Sequence, residues 1–275
     1  MSDTTEIRGA VLRVAMASKR YMYVMLMYHI CFTGPCAEVT NMAQTMEPVL
    51  NAIDRQTSRG ARTKEDIRYR IAEIGVIPAV RVASEQDALF VAEALAEAGI
   101  PIVEISASFP SAFHTISYLA ERLPNTIVGA GSIMGVEMAR RCLDEGAEFL
   151  TTDGLVLNVV EFAANEGVVV FPGALTPTEI IAAWNAGSDF VKVVPCNAVG
   201  GHNYIRSLKS GMPQIHLIAA GGVDQRTASN FIAAGATALG VGRDLIPAEA
   251  IRLRQAQRIQ ELARRFLGSV DNGRN

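Results

Sequence analysis

The chain has 275 residues, enough for one large α/β barrel or two smaller domains with a substantial core. A hydrophobic content of 49%, a charged content of 19% and a mean hydropathy of +0.21 exclude disorder along most of the chain, and no apolar run is long enough to span a bilayer. The formal net charge of -3 supplies no basic field for nucleic acid, so a small-molecule partner is expected, with neither nucleic acid nor membrane.

Residues 1–65 read as an extension of different origin. Seven of the ten methionines (Met1, Met16, Met22, Met25, Met27, Met42 and Met46) fall there, without strand–helix alternation. Lys19-Arg20 precedes an apolar run, Tyr21–Phe32, of the length of an export signal. Asp3 and Glu6 upstream, His29 inside the run and the lack of a small-x-small cleavage site at Gly34-Pro35-Cys36-Ala37 favour instead an appended helix, or a true start at Met42 or Met46. The polar segment Gln56–Thr63 reads as a linker. Cys31, Cys36, Cys142 and Cys196 are too few and too scattered for a disulfide framework, which points to a reducing compartment, the cytoplasm. Cys31 and Cys36 could form half a metal site, but no CxxC or nearby histidine pair completes it.

From Thr63 onward the pattern is regular. A leading helix over residues 64–74 is followed by strands near 76–82, 100–106, 126–130, 148–151, 168–171, 189–194, 215–219 and 237–241. Helices are expected near 84–98, 111–122, 134–145, 156–166, 177–186, 201–209, 225–234 and 247–266. Ser84 and Asp224 serve as N-cap candidates, Thr176-Pro177 as cap and first turn, and Gly99, Gly146, Gly187 and Gly235 as helix stops. Alternating βα units with short connections make a parallel sheet, and this many units in residues 66–275 fit a (β/α)8 barrel of the TIM type. No GxGxxG opens the first unit, which counts against an open dinucleotide-binding sheet.

Three charges interrupt apolar strands: Arg81 in the first, Glu104 in the second and Lys192 in the sixth. Any one of them alone is as well explained as a satisfied interior charge or a strand-end residue reaching water. Strand residues alternate between the barrel interior and the helical layer. Val191 and Val193 share one face, which leaves Lys192 inward with Phe190 and Val194, and the same parity turns Glu104 and Arg81 inward. A cation, a carboxylate and an amine near strand ends suit a lysine that attacks a carbonyl to form a Schiff base while a carboxylate moves protons. Lys64 and Lys209 fall on helices and read as solvated charges.

Gly221 and Gly222 follow the seventh strand, and Gly242 and Arg243 follow the eighth. Barrel enzymes bind phosphate with the loops at these places, although tight turns use the same glycines. Ser132, after Gly129-Ala130-Gly131, could offer a hydroxyl to a substrate or simply form a turn, and Phe171-Pro172-Gly173-Ala174 ends the fifth strand with small residues that leave room beside Lys192, which makes Pro172 a candidate substrate contact. His114, His202 and His216 have no partner at metal-ligand spacing, so no metal is expected.

At these residues the sequence resembles the 2-keto-3-deoxy-6-phosphogluconate / 4-hydroxy-2-oxoglutarate aldolase family, with a pattern closer to its 2-keto-3-deoxy-6-phosphogalactonate members. Over about residues 66–265 the family's motifs appear in order as Ile102-Val103-Glu104-Ile105-Ser106, Val128-Gly129-Ala130-Gly131-Ser132, Phe171-Pro172-Gly173, Phe190-Val191-Lys192-Val193-Val194-Pro195, Ala220-Gly221-Gly222-Val223 and Gly240-Val241-Gly242-Arg243-Asp244-Leu245. The resemblance implies a class I aldolase, with Lys192 as the Schiff-base lysine and Glu104 as the proton-transfer group of carbon–carbon cleavage. The implied products are pyruvate and a short, usually phosphorylated aldehyde, with no cofactor or metal and a homotrimeric assembly. Phosphogluconate-type members hold the pyruvate carboxylate with an arginine four residues after the glutamate. Ser108 stands there in this chain, and Arg81 matches the phosphogalactonate-type arginine on the first strand. Arg243 replaces the family's serine in the last phosphate loop, and Ala220 the threonine before the double glycine. Two other readings fit the same barrel: a phosphate-binding enzyme in which Lys192 only contacts an anion, and a non-enzymatic sugar-phosphate sensor.

Overall fold

The chain divides into two units, Met1–Ala61 and Arg62–Asn275, and the computed structural model describes residues 62–82 and 84–275. The expected extension up to Ala61, with its apolar run Tyr21–Phe32, the Cys31 and Cys36 pair and most of the linker, lies outside the described residues.

The nine strand segments are β1 Val76–Val80, β2 Ile102–Ser106, β3 Ile127–Gly131, β4 Phe149–Thr151, β5 Val169–Phe171, β6 Gly173–Ala174, β7 Val191–Val193, β8 Leu217–Ala220 and β9 Ala238–Val241. They pair in parallel in the order β5-β4-β3-β2-β1-β9-β8-β7-β6. The two ends of that order are one strand interrupted at Pro172, which has no N–H to donate to a ladder. Below the break β5 pairs with β4, and above it β6 pairs with β7. The Pro172 carbonyl still accepts from Lys192 N at 2.8 Å, and Val170 O accepts from Asp189 N at 3.0 Å, so the same strand also runs along β7 and closes the barrel. The fifth expected strand is therefore two segments, and the architecture is the expected (β/α)8 barrel.

The helices are α1 Lys64–Ile74, α2 Glu85–Glu97, α3 Ala112–Arg122, α4 Val136–Asp144, α5 Leu157–Glu166, α6 Pro177–Asn185, α7 His202–Gly211, α8 Ala228–Ala233, α9 Ala248–Arg252 and α10 Ala256–Arg274. Thr176 and Glu179 form a reciprocal capping box at α6, and Ser84 accepts from Asp87 N at α2. The backbone hydrogen bonds hold Glu179 below the usual carboxylate range. Two expectations need correction. Asp224 closes a turn ahead of α8, accepting from the backbone of Arg226 and Thr227, and the helix starts only at Ala228. The expected final helix is α9 and α10, split where Arg254 adopts φ +52°. The Arg254 guanidinium anchors that break, 2.7 Å from Asp87 and over the Phe90 ring.

Register and parity fill the interior in layers. Phe149 and Phe171 stack with centroids 5.2 Å apart, and Phe190 meets Phe171 edge-on at 6.1 Å. Gly129 is the register partner of Phe149, and a Cβ there would stand 2.1 Å from that ring, so only glycine lets the ring cross the strand. These rings occupy strand positions two residues before Thr151, Gly173 and Lys192, and they form a dry floor one layer beneath them.

The N-terminal end of the barrel is covered by α1, which touches β1, β9 and β5 from different parts of the ring and buries Ile67, Ile71 and Ile74. It is pinned by charge. Buried Asp189, ahead of β7, lies 3.1 Å from Lys64 Nζ and 3.3 Å from Arg68 Nε, and accepts from Val170 N at 3.0 Å. Lys64 is therefore paired, in contrast to the solvated charge its helical position suggested. Replacing Asp189 with alanine strands the Val170 N–H and unpairs two half-buried cations, a cost of about 2–3 kcal/mol. The expected outcome is a melting temperature lower by roughly 5–10 °C in a circular-dichroism melt, with a smaller loss for D189N, which keeps an acceptor for Val170.

Candidate active site

Lys192 sits in the middle of β7 with its side chain inward and 6% exposed. Its Nζ donates to Thr151 Oγ1 at 2.9 Å and lies 3.6 Å from Asp153 Oδ1. Thr151 is the last residue of β4 and fully buried. The carboxylate paired with the amine is thus Asp153, not Glu104. Neither Thr151 nor Asp153 was singled out in the sequence. The available signal was the polar run Thr151-Thr152-Asp153 ending an apolar strand, the same oddity that marks Lys192.

Glu104 lies inward on β2, 7% exposed. Its carboxylate occupies the space that a side chain at Gly131 would need, since a Cβ there would stand 2.2 Å from Oε1. Among the described residues no hydrogen bond or ion pair engages it. A buried carboxylate left without a partner is costly for stability alone, and suits proton transfer. One layer above, the hydroxyls of Ser108, Ser106 and Ser132 form a chain, 2.8 Å and then 3.1 Å between oxygens. Ser132 holds φ +58°, an uncommon conformation for a residue with a side chain, at the mouth of the barrel.

Arg81 shares the interior parity of Ala79, the register partner of Glu104, but β1 ends at Val80 and the arginine is exposed. It makes no ion pair among the described residues. Pro172 is the point where the fifth strand changes partners, directly beside Lys192. Gly221 and Gly222 have φ of +79° and +85°. A Cβ at Gly221 would come within 2.7 Å of Pro195 Cα, and one at Gly222 within 2.4 Å of Asn197 Cβ. Asn197 N also donates to Gly221 O at 3.1 Å, so the double glycine locks the loop after β8 against the turn that follows Lys192. Gly242 is different: its φ is not in the left-handed region, and an added Cβ would meet only Ala79 O at 4.0 Å. The fold itself makes no demand for glycine there. Arg243 beside it is exposed and unpaired among the described residues, whereas nearby Arg226 is held by Asp224 at 2.9 Å. That pairing keeps Asp224 below the usual carboxylate range.

The histidines lie elsewhere: His114 pairs with Glu85 at 2.6 Å, His202 packs edge-on to Phe231, and His216 packs against Trp184 and Phe190. Among the described residues no group of three or more His, Cys, Asp or Glu is placed to hold a metal. No helix among them is long and apolar enough to cross a membrane.

The model of the KDPG and KHG aldolase family matches residues 67–262. The chain belongs to that family. This aldolase is 25% identical to the KHG/KDPG aldolase of Escherichia coli K12 over 189 residues, 69% of this chain and 89% of that protein. It is 30% identical to the probable 2-dehydro-3-deoxy-6-phosphogalactonate aldolase of Rhizobium meliloti over 173 residues, 62% of this chain and 81% of the relative. Its fold superposes on the KDPG aldolase of Legionella pneumophila, solved with pyruvate captured as a covalent carbinolamine, with a TM-score of 0.68 and 24% identity over 72% of this chain and 96% of the other. As an aldolase it is a carbon–carbon lyase. Cys196, four residues beyond Lys192, offers no rival nucleophile: burial pushes its thiol up to about 11, and that of Cys142 up to about 12.

Proposed function

We propose that this aldolase cleaves a 2-keto-3-deoxy sugar acid, phosphorylated at its far end, or a 4-hydroxy-2-oxo acid, to pyruvate and an aldehyde such as glyceraldehyde 3-phosphate. The observation that carries the reading is one buried amine, Lys192, above an aromatic floor in a barrel whose second inward charge, Glu104, is a buried and unpaired carboxylate. Lys192 attacks the C2 carbonyl, and loss of water leaves an iminium that draws electrons from the C3–C4 bond. Glu104 takes the C4 hydroxyl proton as that bond breaks, and returns a proton to C3 of the resulting enamine. The carbinolamine held by the Legionella relative is the first covalent intermediate of such a sequence.

Arg81 and Ser132 receive the substrate carboxylate. Arg81 is the unpaired cation that stands where β1 leaves the interior above Glu104, and Ser132 ends a hydroxyl chain at the same level. The distal anion lies against the backbone of Gly221, Gly222 and Gly242, with Arg243 adding a charge-assisted contact. The open space at Gly242 supports this part of the site. A barrel beginning near residue 66, assembly as a homotrimer and a cytoplasmic location belong to the same proposal, carried by the family resemblance; a monomeric mass in sedimentation equilibrium would remove the trimer.

A coupled pyruvate-release assay over a panel of 2-keto-3-deoxy acids, with and without a terminal phosphate, tests the reading. K192R is expected to lose all measurable cleavage, because a guanidinium cannot form the Schiff base, and E104Q to lose about 10²–10⁴-fold in kcat. R243A should raise KM for phosphorylated substrates by roughly tenfold or more and leave KM for unphosphorylated ones in place. Retention of cleavage by K192R would favour the reading in which Lys192 only contacts an anion.

A further inference from the structure

We propose that Asp153 is a second catalytic carboxylate, which carries the proton for making and hydrolysing the Schiff base, while Glu104 serves the carbon–carbon step. The inference rests on Lys192 being the Schiff-base lysine. Asp153 is the carboxylate that reaches the reacting nitrogen, at 3.6 Å from Nζ, and Glu104 makes no contact with that atom. The two acids also differ in access to water: the Asp153 side chain is 52% exposed, whereas Glu104 is 7% exposed. Forming the iminium releases a water molecule and hydrolysing it consumes one, so the acid that serves these steps needs contact with solvent. The acid that serves the enamine has no water to release or take up.

The position of Asp153 is built into the barrel. Gly173, the register partner of Lys192, carries no side chain because a Cβ there would stand 2.4 Å from Asp153 O. Gly173 N donates to Thr152 Oγ1 at 3.2 Å, and the same hydroxyl donates to Gly154 O, which ties down the turn on both sides of Asp153. Thr151 Oγ1 accepts from the same Lys192 Nζ at 2.9 Å. Both partners of the amine thus come from one strand end whose backbone rests on the strand beside Lys192.

The proton balance closes without any further reagent. The Asp153 carboxylate takes a proton from the Lys192 ammonium, and the freed amine pair attacks the C2 carbonyl. A proton then passes from nitrogen to the new alkoxide to give the neutral carbinolamine. Asp153 now carries the proton taken from the ammonium. It delivers that proton to the carbinolamine hydroxyl, the C–O bond breaks, water leaves, and the nitrogen pair forms the iminium beside a carboxylate once more. Hydrolysis of the product iminium runs the same steps backwards. The 3.6 Å separation shortens on the way, as catalytic contacts in free enzymes commonly do.

The test uses the full chain. Wild-type, D153N and D153S proteins are mixed with pyruvate and quenched with borohydride at timed intervals, and the reduced adduct is followed by intact mass. The mixtures are made in deuterium oxide, and exchange of the methyl protons is read as deuterium on the trapped pyruvyl group itself, so that hydrolysis and release of pyruvate do not enter it. The expected result is trapping slowed by about tenfold to a hundredfold in both variants, with exchange per trapped enzyme within twofold of wild type. Trapping at the wild-type rate in either folded variant overturns the proposal, and so does a fall in exchange per adduct that matches the fall in trapping, which marks a general disturbance of the site. A wild-type enzyme that forms no adduct removes the Schiff-base reading itself, an outcome distinct from a difference confined to the variants.

Discussion

The structure depends on the burial of one ammonium group. Taking the Lys192 charge into the interior of an apolar barrel costs several kcal/mol unless it is paired, and the surrounding strands are arranged to meet that cost without quenching the amine. Thr151 supplies a neutral acceptor at 2.9 Å, and Asp153 an opposite charge at 3.6 Å that is not locked onto the amine. A bidentate carboxylate in the same place would hold the group as an inert ion pair. The amine is positioned and remains free to react.

The rest of the barrel follows from giving that group a dry, shaped compartment. Phe149, Phe171 and Phe190 close the space beneath it, and Gly129 is bare so that one ring can cross. Gly131 is bare so that the Glu104 carboxylate can lie over it, and Gly173 so that the Asp153 backbone can. Three glycines, two on β3 and one on β6, are thus explained by what each leaves room for. At the opposite end, Asp189 with Lys64 and Arg68 fastens α1 beneath the barrel, so that the charge network that stabilises and the charges that react occupy separate ends. This separation of a stability face from a reaction face is the usual division of labour in (β/α)8 barrels.

Much of this was legible in the sequence for a simple physical reason. A charge in a β-branched apolar run is conspicuous without knowledge of its partner, and parity alone turns Lys192 and Glu104 inward, as they lie in the structure. Helix stops were equally visible, because Gly99, Gly146, Gly187 and Gly235 all hold the positive φ that glycine permits. What escaped depends on neighbours distant in the chain. Thr151 is 41 residues from Lys192, and nothing local distinguishes it from any strand-end threonine, or Asp153 from any turn aspartate. Lys64 read as solvated because a helix position does not reveal that the helix lies across the end of a barrel. The break at Arg254 carries no glycine or proline, and is made by contacts with Asp87 and Phe90 more than 160 residues away in sequence. Phe171-Pro172-Gly173-Ala174 was noticed for the room its small residues leave, while the role of Pro172 as the point where one strand changes partners appears only in the closed sheet.

The central claim, that Lys192 is the reacting amine, is tested most directly by locating the covalent bond to pyruvate. The protein is incubated with pyruvate, reduced with borohydride, digested and sequenced by tandem mass spectrometry. The expected result is a single reduced pyruvyl group on the peptide that contains Lys192, absent when borohydride or pyruvate is omitted. A folded protein that acquires no adduct, or acquires it at Lys64 or Lys209, would contradict the account.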